Sequence, residues 1–249
     1  MKTRVIPVIL TDGQTVVKGE KFNNWRTVGS AKAIARLFSL RDVDELVFLD
    51  VTARSRETCI DFDLISEFSE ILEVPFSVGG GINNIQQFRN CIRAGAEKVV
   101  LGTSVIENPT LINEAASEFG SQSVVVSVEA GTTLTEKVSF YSGSRFSNLT
   151  TKEVIELAEA SGAGELLIQS PSREGTMNGL NLDLIAQIQQ FTHLPIVVSG
   201  GAGRLEDFLE AARLNVSGIA AGAIFQFTEI TPTGVRNFLR KSGINVRNT

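Results

Sequence analysis

Apolar positions along the chain follow two alternating patterns. Short, continuously apolar runs recur at residues 4–10, 45–51, 74–79, 98–101, 123–128, 166–169, 195–199 and 218–221. Between them, apolar residues return every three or four positions, as in Ile34, Leu37 and Phe38, then Leu64, Ile65, Phe68, Ile71 and Leu72, then Ile85, Phe88 and Ile92. Runs of the first kind predict strands buried on both faces, as in a parallel sheet. Those of the second predict amphipathic helices. Start signals sharpen two more helices. Asn108-Pro109 places a cap before a proline at the first helical position, opening a helix to Phe119. Thr150 and Glu153 form a capping box for a helix to Ala160. Further helices are expected at 183–190, 205–212 and 232–241.

Two stretches break the alternation. Residues 15–29 have no steady period and carry Lys18, Lys21, Trp25 and Arg26, which predicts a long functional loop. Residues 132–149, with Tyr141, predict a hairpin-like excursion.

Eight strand–helix pairs in 249 residues match the size of one (β/α)₈ barrel, typically about 250 residues. An internal repeat supports this. Ser77-Val78-Gly79-Gly80-Gly81 reappears as Val197-Val198-Ser199-Gly200-Gly201, and Leu101-Gly102-Thr103 as Ala221-Gly222-Ala223, both at an offset of 120 residues. A Rossmann-like fold would need a glycine fingerprint after strand 1, and Leu10-Thr11-Asp12-Gly13-Gln14 does not supply it. No linker divides residues 1–249, so one barrel domain is expected.

Composition narrows the function classes. Hydrophobic residues make up 43%, enough for a large core. A net charge of -5 argues against nucleic acid as a partner. Cys59 and Cys91 have no metal-ligand spacing, and Cys91 sits on an apolar helical stripe. This cysteine usage fits a reducing cytoplasm. Neither a signal peptide nor a membrane span is expected, and no metal or cofactor.

Barrel active sites lie at the C-terminal ends of the strands. Gly80, Gly81, Gly102 and Thr103 fall there after strands 3 and 4, and Gly200, Gly201, Gly222 and Ala223 after strands 7 and 8. Glycine lets backbone N–H groups approach an anion closely. Two such sites across one mouth imply a substrate with a phosphate at each end. Asp50 and Glu129, at strand ends, are the acid/base candidates, with Asp12 and Glu174 nearby on loops. Lys18 and Arg26 are placed to close over an anion. At the opposite mouth, the strand starts carry Arg4, Glu45, Lys98 and Glu165, which predict a ring of alternating charge. His193, the only histidine, is expected on the surface of that lower side.

Several motifs together resemble one known family: Arg4-Val5-Ile6-Pro7, Val16-Val17-Lys18-Gly19, Asp44-Glu45-Leu46-Val47-Phe48-Leu49-Asp50, Val78-Gly79-Gly80-Gly81-Ile82 and Ser199-Gly200-Gly201-Ala202-Gly203. This chain resembles the cyclase subunit of imidazole glycerol phosphate synthase. The resemblance implies a two-fold (β/α)₈ barrel that receives ammonia from a glutaminase subunit docked at its base. At its top, such a barrel would convert a bis-phosphate ribulosyl aminoimidazole nucleotide into imidazole glycerol phosphate. Carried over, Gly80, Gly81, Gly102 and Thr103 fall on one phosphate site, and Gly175, Gly201, Gly222 and Ala223 on the other. Arg4, Glu45, Lys98 and Glu165 match the ammonia gate, Lys18 the loop-1 lysine and Asp50 the strand-2 aspartate.

The family's two catalytic aspartates fall on Leu10 and Glu129. Leucine cannot move a proton, and the longer glutamate arm displaces its carboxylate. Displacement of that order can cost about 100-fold in rate. An intact gate with an altered acid/base pair is similar to a diverged branch in which ammonia passes to an amidotransferase acting on a nucleotide sugar for surface polysaccharide. That branch is the leading expectation, with a genuine cyclase and a non-catalytic scaffold for the glutaminase as alternatives.

Overall fold

The computed structural model describes residues 2–41 and 43–247. Residue 1, residue 42 and residues 248–249 of the expected domain lie outside them. Eight parallel strands form the barrel: β1 (Arg4–Asp12), β2 (Leu46–Asp50), β3 (Phe76–Gly79), β4 (Lys98–Leu101), β5 (Val124–Glu129), β6 (Glu165–Gln169), β7 (Ile196–Ser199) and β8 (Gly218–Ala221). Each pairs with the next, and β8 pairs with β1 through Arg4 and Gly218. The β5–β6 pairing, from Glu165 with Val125 to Gln169 with Glu129, completes the closure. The repeat holds at the level of elements. Strands β3 and β4 and the helix Ile85–Arg93 recur 120 residues later as β7, β8 and the helix Leu205–Arg213.

Alternation along each strand builds two cores. Val5, Ile9, Leu46 and Phe48 face outward and pack under the helices with Phe68, Phe76 and Phe88. The Phe48 and Phe68 rings stack at 3.9 Å between centroids. Ile6, Val8, Leu10, Val47, Leu49, Val100, Val125, Leu167 and Val197 face inward and fill the barrel. The capping box at Thr150 and Glu153 forms, with both reciprocal hydrogen bonds present.

The main difference from expectation lies in residues 15–29. They form a hairpin, Thr15–Glu20 and Asn23–Ser30, that continues β1 upward. The two residues at its tip, Lys21 and Phe22, have φ of 52° and 54°. Both central residues are thus left-handed, as a type I′ turn requires, a geometry usually signalled by Asn-Gly. Lys-Phe hides it in the sequence. The expected excursion at 132–149 is a second hairpin, Lys137–Phe140 and Arg145–Thr150. Short helices at Ser104–Glu107 and Ala223–Phe227 follow β4 and β8. Their brevity leaves no period to read.

Candidate functional site

The C-terminal mouth holds a cavity of ≈ 360 Å³. Asp50, Gly80, Gly81, Gly102, Thr103 and Glu129 line it from the ends of β2 to β5, and the two hairpins add Phe22, Trp25, Tyr141 and Ser142. Gly80 and Gly81 have φ of 132° and 68°. A Cβ on Gly81 would lie 2.0 Å from the Thr58 carbonyl oxygen, so only glycine fits this turn. The second glycine group sits apart. Gly175, Gly200, Gly201, Gly222 and Ala223 line a pit of only ≈ 10 Å³, together with Glu174.

The first hairpin makes that pit small. Its Lys21 N–H donates to the Glu174 carbonyl at 2.8 Å. Gly175 packs so closely on Gly19 that a Cβ would lie 2.2 Å from the Gly19 carbonyl oxygen. A Cβ on Gly222 would lie 2.2 Å from Lys18 Nζ, so the ammonium rests directly on the β8 glycine. That nitrogen is buried and has no hydrogen-bond partner among the described residues. Burial pulls the Lys18 pKa down, with the charge of Glu174 opposing. Burial likewise pushes Glu174 up, with Lys18 opposing. Arg26 lies 4.8 Å from the centroid of the Phe227 ring, which ties the hairpin to the helix after β8.

The carboxylates are differently employed. Asp50 accepts from the N–H groups of Gly13 (3.1 Å), Thr52 (3.0 Å) and Ala53 (2.8 Å), and from Arg56 Nη2 (2.9 Å). Asp12 is half-exposed, pairs with Arg56 Nη1 and accepts from Thr52 Oγ1 at 2.7 Å. It does not line the cavity. Arg56 clamps both aspartates, and no periodicity in the sequence marks it. Leu10 is 2% exposed in the inner core.

Glu129 reaches into the second hairpin. It accepts from Ser142 N (3.1 Å), Gly143 N (2.7 Å) and Ser139 Oγ (3.1 Å). Tyr141, Ser142 and Gly143 all have positive φ, at 56°, 55° and 79°. Two non-glycine residues in this region cost about 1–3 kcal/mol each and persist where the surroundings hold them. The carboxylate does so here, and Ser142 Oγ donates across the mouth to the Val51 carbonyl at 2.9 Å. Burial raises the Glu129 pKa, and the three donors oppose that shift. Protonation therefore begins above the ordinary value of 4.5. The raised value means that stability gains as pH falls between the folded and unfolded values, while the charged grip on the hairpin weakens. Glu129→Ala is expected to cost about 1–3 kcal/mol and to speed amide exchange at Ser142 and Gly143. Wild-type protein should show the same faster exchange on acidification toward the ordinary glutamate range.

At the base, Arg4, Glu45, Lys98 and Glu165 meet. Arg4 Nη1 lies 2.5 Å from Glu45 Oε2, and Arg4 Nη2 pairs with Glu165. Lys98 Nζ lies 3.0 Å from Glu45 and 2.9 Å from Glu165. Each cation bridges both carboxylates, which closes the ring. Ser77 Oγ adds a bond to Glu45 at 2.9 Å. Beside the ring, a buried Asp44 pairs with Arg236 at 3.2 Å and accepts from Val5 N at 2.9 Å. That pair joins positions far apart in sequence and leaves no local pattern. His193 lies in the exposed turn after the helix Leu182–Ile188.

The closed barrel, its 120-residue internal repeat, the glycine turns around its upper mouth and the four-charge ring at its base place the chain among the (β/α)₈ barrels with a two-fold repeat. Within that class, the chain belongs to the histidine biosynthesis protein family, whose profile matches residues 4–231. It is 39% identical over 246 residues to imidazole glycerol phosphate synthase subunit HisF of Dictyoglomus turgidum, covering 98% of both chains. The same-named subunit of Thermotoga sp. is 37% identical over 245 residues, covering 98% of this chain and 97% of the relative. That of Pyrococcus furiosus is 37% identical over 246 residues, covering 98% of both. Among the described residues, no helix is long and apolar enough to cross a membrane.

Proposed function

We propose that this chain is an ammonia-using cyclase-type subunit that binds a bis-phosphate between the two glycine groups and works with a glutaminase docked at its base. The closed ring of Arg4, Glu45, Lys98 and Glu165 carries this reading. It stands at the foot of an apolar barrel interior whose top opens into the cavity. A path opened through that interior would suit neutral ammonia and exclude ammonium, because a bare charge is costly in apolar surroundings. Lys18 and the first hairpin cover one phosphate end, and Asp50 and Glu129 border the other. The synthase names of the relatives favour cyclisation of a ribulosyl aminoimidazole nucleotide as the reaction.

A second reading rests on Leu10 and Glu129. With leucine at the end of β1 and the Glu129 carboxylate engaged by the hairpin, the mouth lacks the usual acid/base pair. In that reading the barrel receives ammonia and passes it to a separate amidotransferase acting on a nucleotide sugar. One assay separates the two. Incubation with ammonium and the ribulosyl aminoimidazole nucleotide is expected to yield imidazole glycerol phosphate at a low rate. No product, with stimulation of the glutaminase intact, would establish the second reading.

A further inference from the structure

Glu129 is gripped by a turn whose own shape needs a second support. Ser142 N donates to Glu129 Oε1 at 3.1 Å and Gly143 N to Oε2 at 2.7 Å, so one turn holds both carboxylate oxygens. That turn keeps its form only while Tyr141, Ser142 and Gly143 all hold positive φ. The bonds of Glu129 reach the last two of these. Tyr141, at φ 56°, needs a holder of its own, because a non-glycine residue in this region persists only where its surroundings over-determine it.

The segment after β4 supplies that holder. The Tyr141 hydroxyl donates to Glu107 Oε1 at 3.2 Å, and its backbone N–H donates to Thr103 Oγ1 at 3.4 Å. Thr103 caps the short helix Ser104–Glu107, and Glu107 ends it. The other oxygen of Glu107 pairs with Arg54 Nη2. Two guanidinium groups lie over the tyrosine ring, Arg145 at 4.6 Å and Arg54 at 5.6 Å from its centroid. A phenol and a guanidinium thus converge on one side chain, one donor to each oxygen. An ionised glutamate suits that demand, since both of its oxygens only accept. Glu107 stands outside the ≈ 360 Å³ cavity that Tyr141, Ser142 and Glu129 line. Any effect it has on the mouth therefore passes through them.

We propose that Glu107 is a positioning residue for Glu129, acting through Tyr141 and the left-handed turn that follows it. This rests on the reading of the mouth as a reaction site, and it names the residue that decides how the acid/base candidate at the end of β5 is held. With Glu107 in place, Tyr141 is fixed at its hydroxyl and at its backbone, and the next two N–H groups stay aimed at the carboxylate. Without it, the hydroxyl loses its acceptor and the turn is left to Thr103 and Glu129.

Amide exchange of the full chain, read residue by residue by NMR, tests the assignment. Glu107→Ala is expected to speed exchange at Ser142 and Gly143 by about three- to tenfold, the range of one lost hydrogen bond. The amides of the helix Thr110–Phe119 should keep their wild-type rates. Tyr141→Phe removes the hydroxyl alone and should speed the same two amides. Adding Glu107→Ala to Tyr141→Phe should then change them by much less than Glu107→Ala does in wild type, because both act through one bond. Glu107→Gln keeps an acceptor oxygen and should fall between wild type and Glu107→Ala. Tyr141 is the only tyrosine, so labelling with fluorotyrosine gives a single fluorine signal, which should shift in Glu107→Ala. Wild-type exchange at Ser142 and Gly143, an unmoved fluorine signal, additive effects of Glu107→Ala and Tyr141→Phe, or equal acceleration in the helix Thr110–Phe119 would each overturn the assignment. All four leave the cyclase reading standing, since none of these measurements involves substrate or ammonia.

Discussion

Leu10→Asp combined with Glu129→Asp is expected to raise ammonium-dependent cyclase turnover by about 10²–10⁴-fold, the usual range for a positioned general acid or base. Leu10 lies at the upper end of the inner core, opposite Leu49 of β2. An aspartate there would stand beside Leu49, which lines the cavity. Shortening Glu129 would free a carboxylate from Ser142 and Gly143 and draw it back toward the β5 end. Burying an unpaired carboxyl among valines and leucines costs stability, about 1–3 kcal/mol by mutational measures of polar burial. Its own pKa would rise through desolvation. Both effects can be followed by thermal unfolding and by the pH profile of the gained activity. Leu10→Asn with Glu129→Asp supplies polarity without a proton to move and should show no such gain. A folded double aspartate variant with unchanged turnover would show that the carboxylates are not what limits cyclisation, and would favour transfer of ammonia to a separate acceptor.

The second large effect is expected at the base. Glu45→Leu should destabilise the barrel by about 3–5 kcal/mol, because it leaves Arg4 and Lys98 sharing the single carboxylate of Glu165. For a chain of this size that lowers Tm by roughly 10 °C. Burial by itself would raise the Glu45 pKa, but Arg4 and Lys98, with hydrogen bonds from Lys98 and Ser77, outweigh it and hold the group below 4.5. A depressed acid contributes stability that is complete above its unfolded value and lost as pH falls through its folded value. The gap between wild type and Glu45→Leu should therefore be constant above about pH 5 and shrink on further acidification. A constant gap down to pH 3 would show that the ring does not depend on the ionised carboxylate. On the proposed reading that the ring gates ammonia, glutamine-driven activity should fall more than ammonium-driven activity in the same variant.

Much of this is legible in the sequence. The eight apolar runs became the eight barrel strands because a strand buried on both faces has no polar positions to spare. The glycine pairs at 80–81 and 200–201 stood out because positive φ and close backbone approach leave no other choice of residue. The charges of the ring were visible as single charged residues at the starts of apolar strands. What was not visible was contact. Nothing local in Arg56 shows that it holds Asp12 and Asp50 together, and nothing in Arg54 shows that its Nε is buried without a partner among the described residues. Residues 15–29 looked irregular because their turn relies on left-handed Lys21 and Phe22.

The sequence by itself thus determined the architecture, the repeat and the residue types available at each mouth, because burial and backbone conformation restrict residue choice position by position. Only the tertiary structure decided how those residues are used. It closed the first hairpin on Gly175 and Gly222, turned Asp12 outward and Glu129 into the second hairpin, and left a cavity of ≈ 360 Å³ at the mouth. Those outcomes depend on distances between strands far apart in the chain, which no pattern along it records.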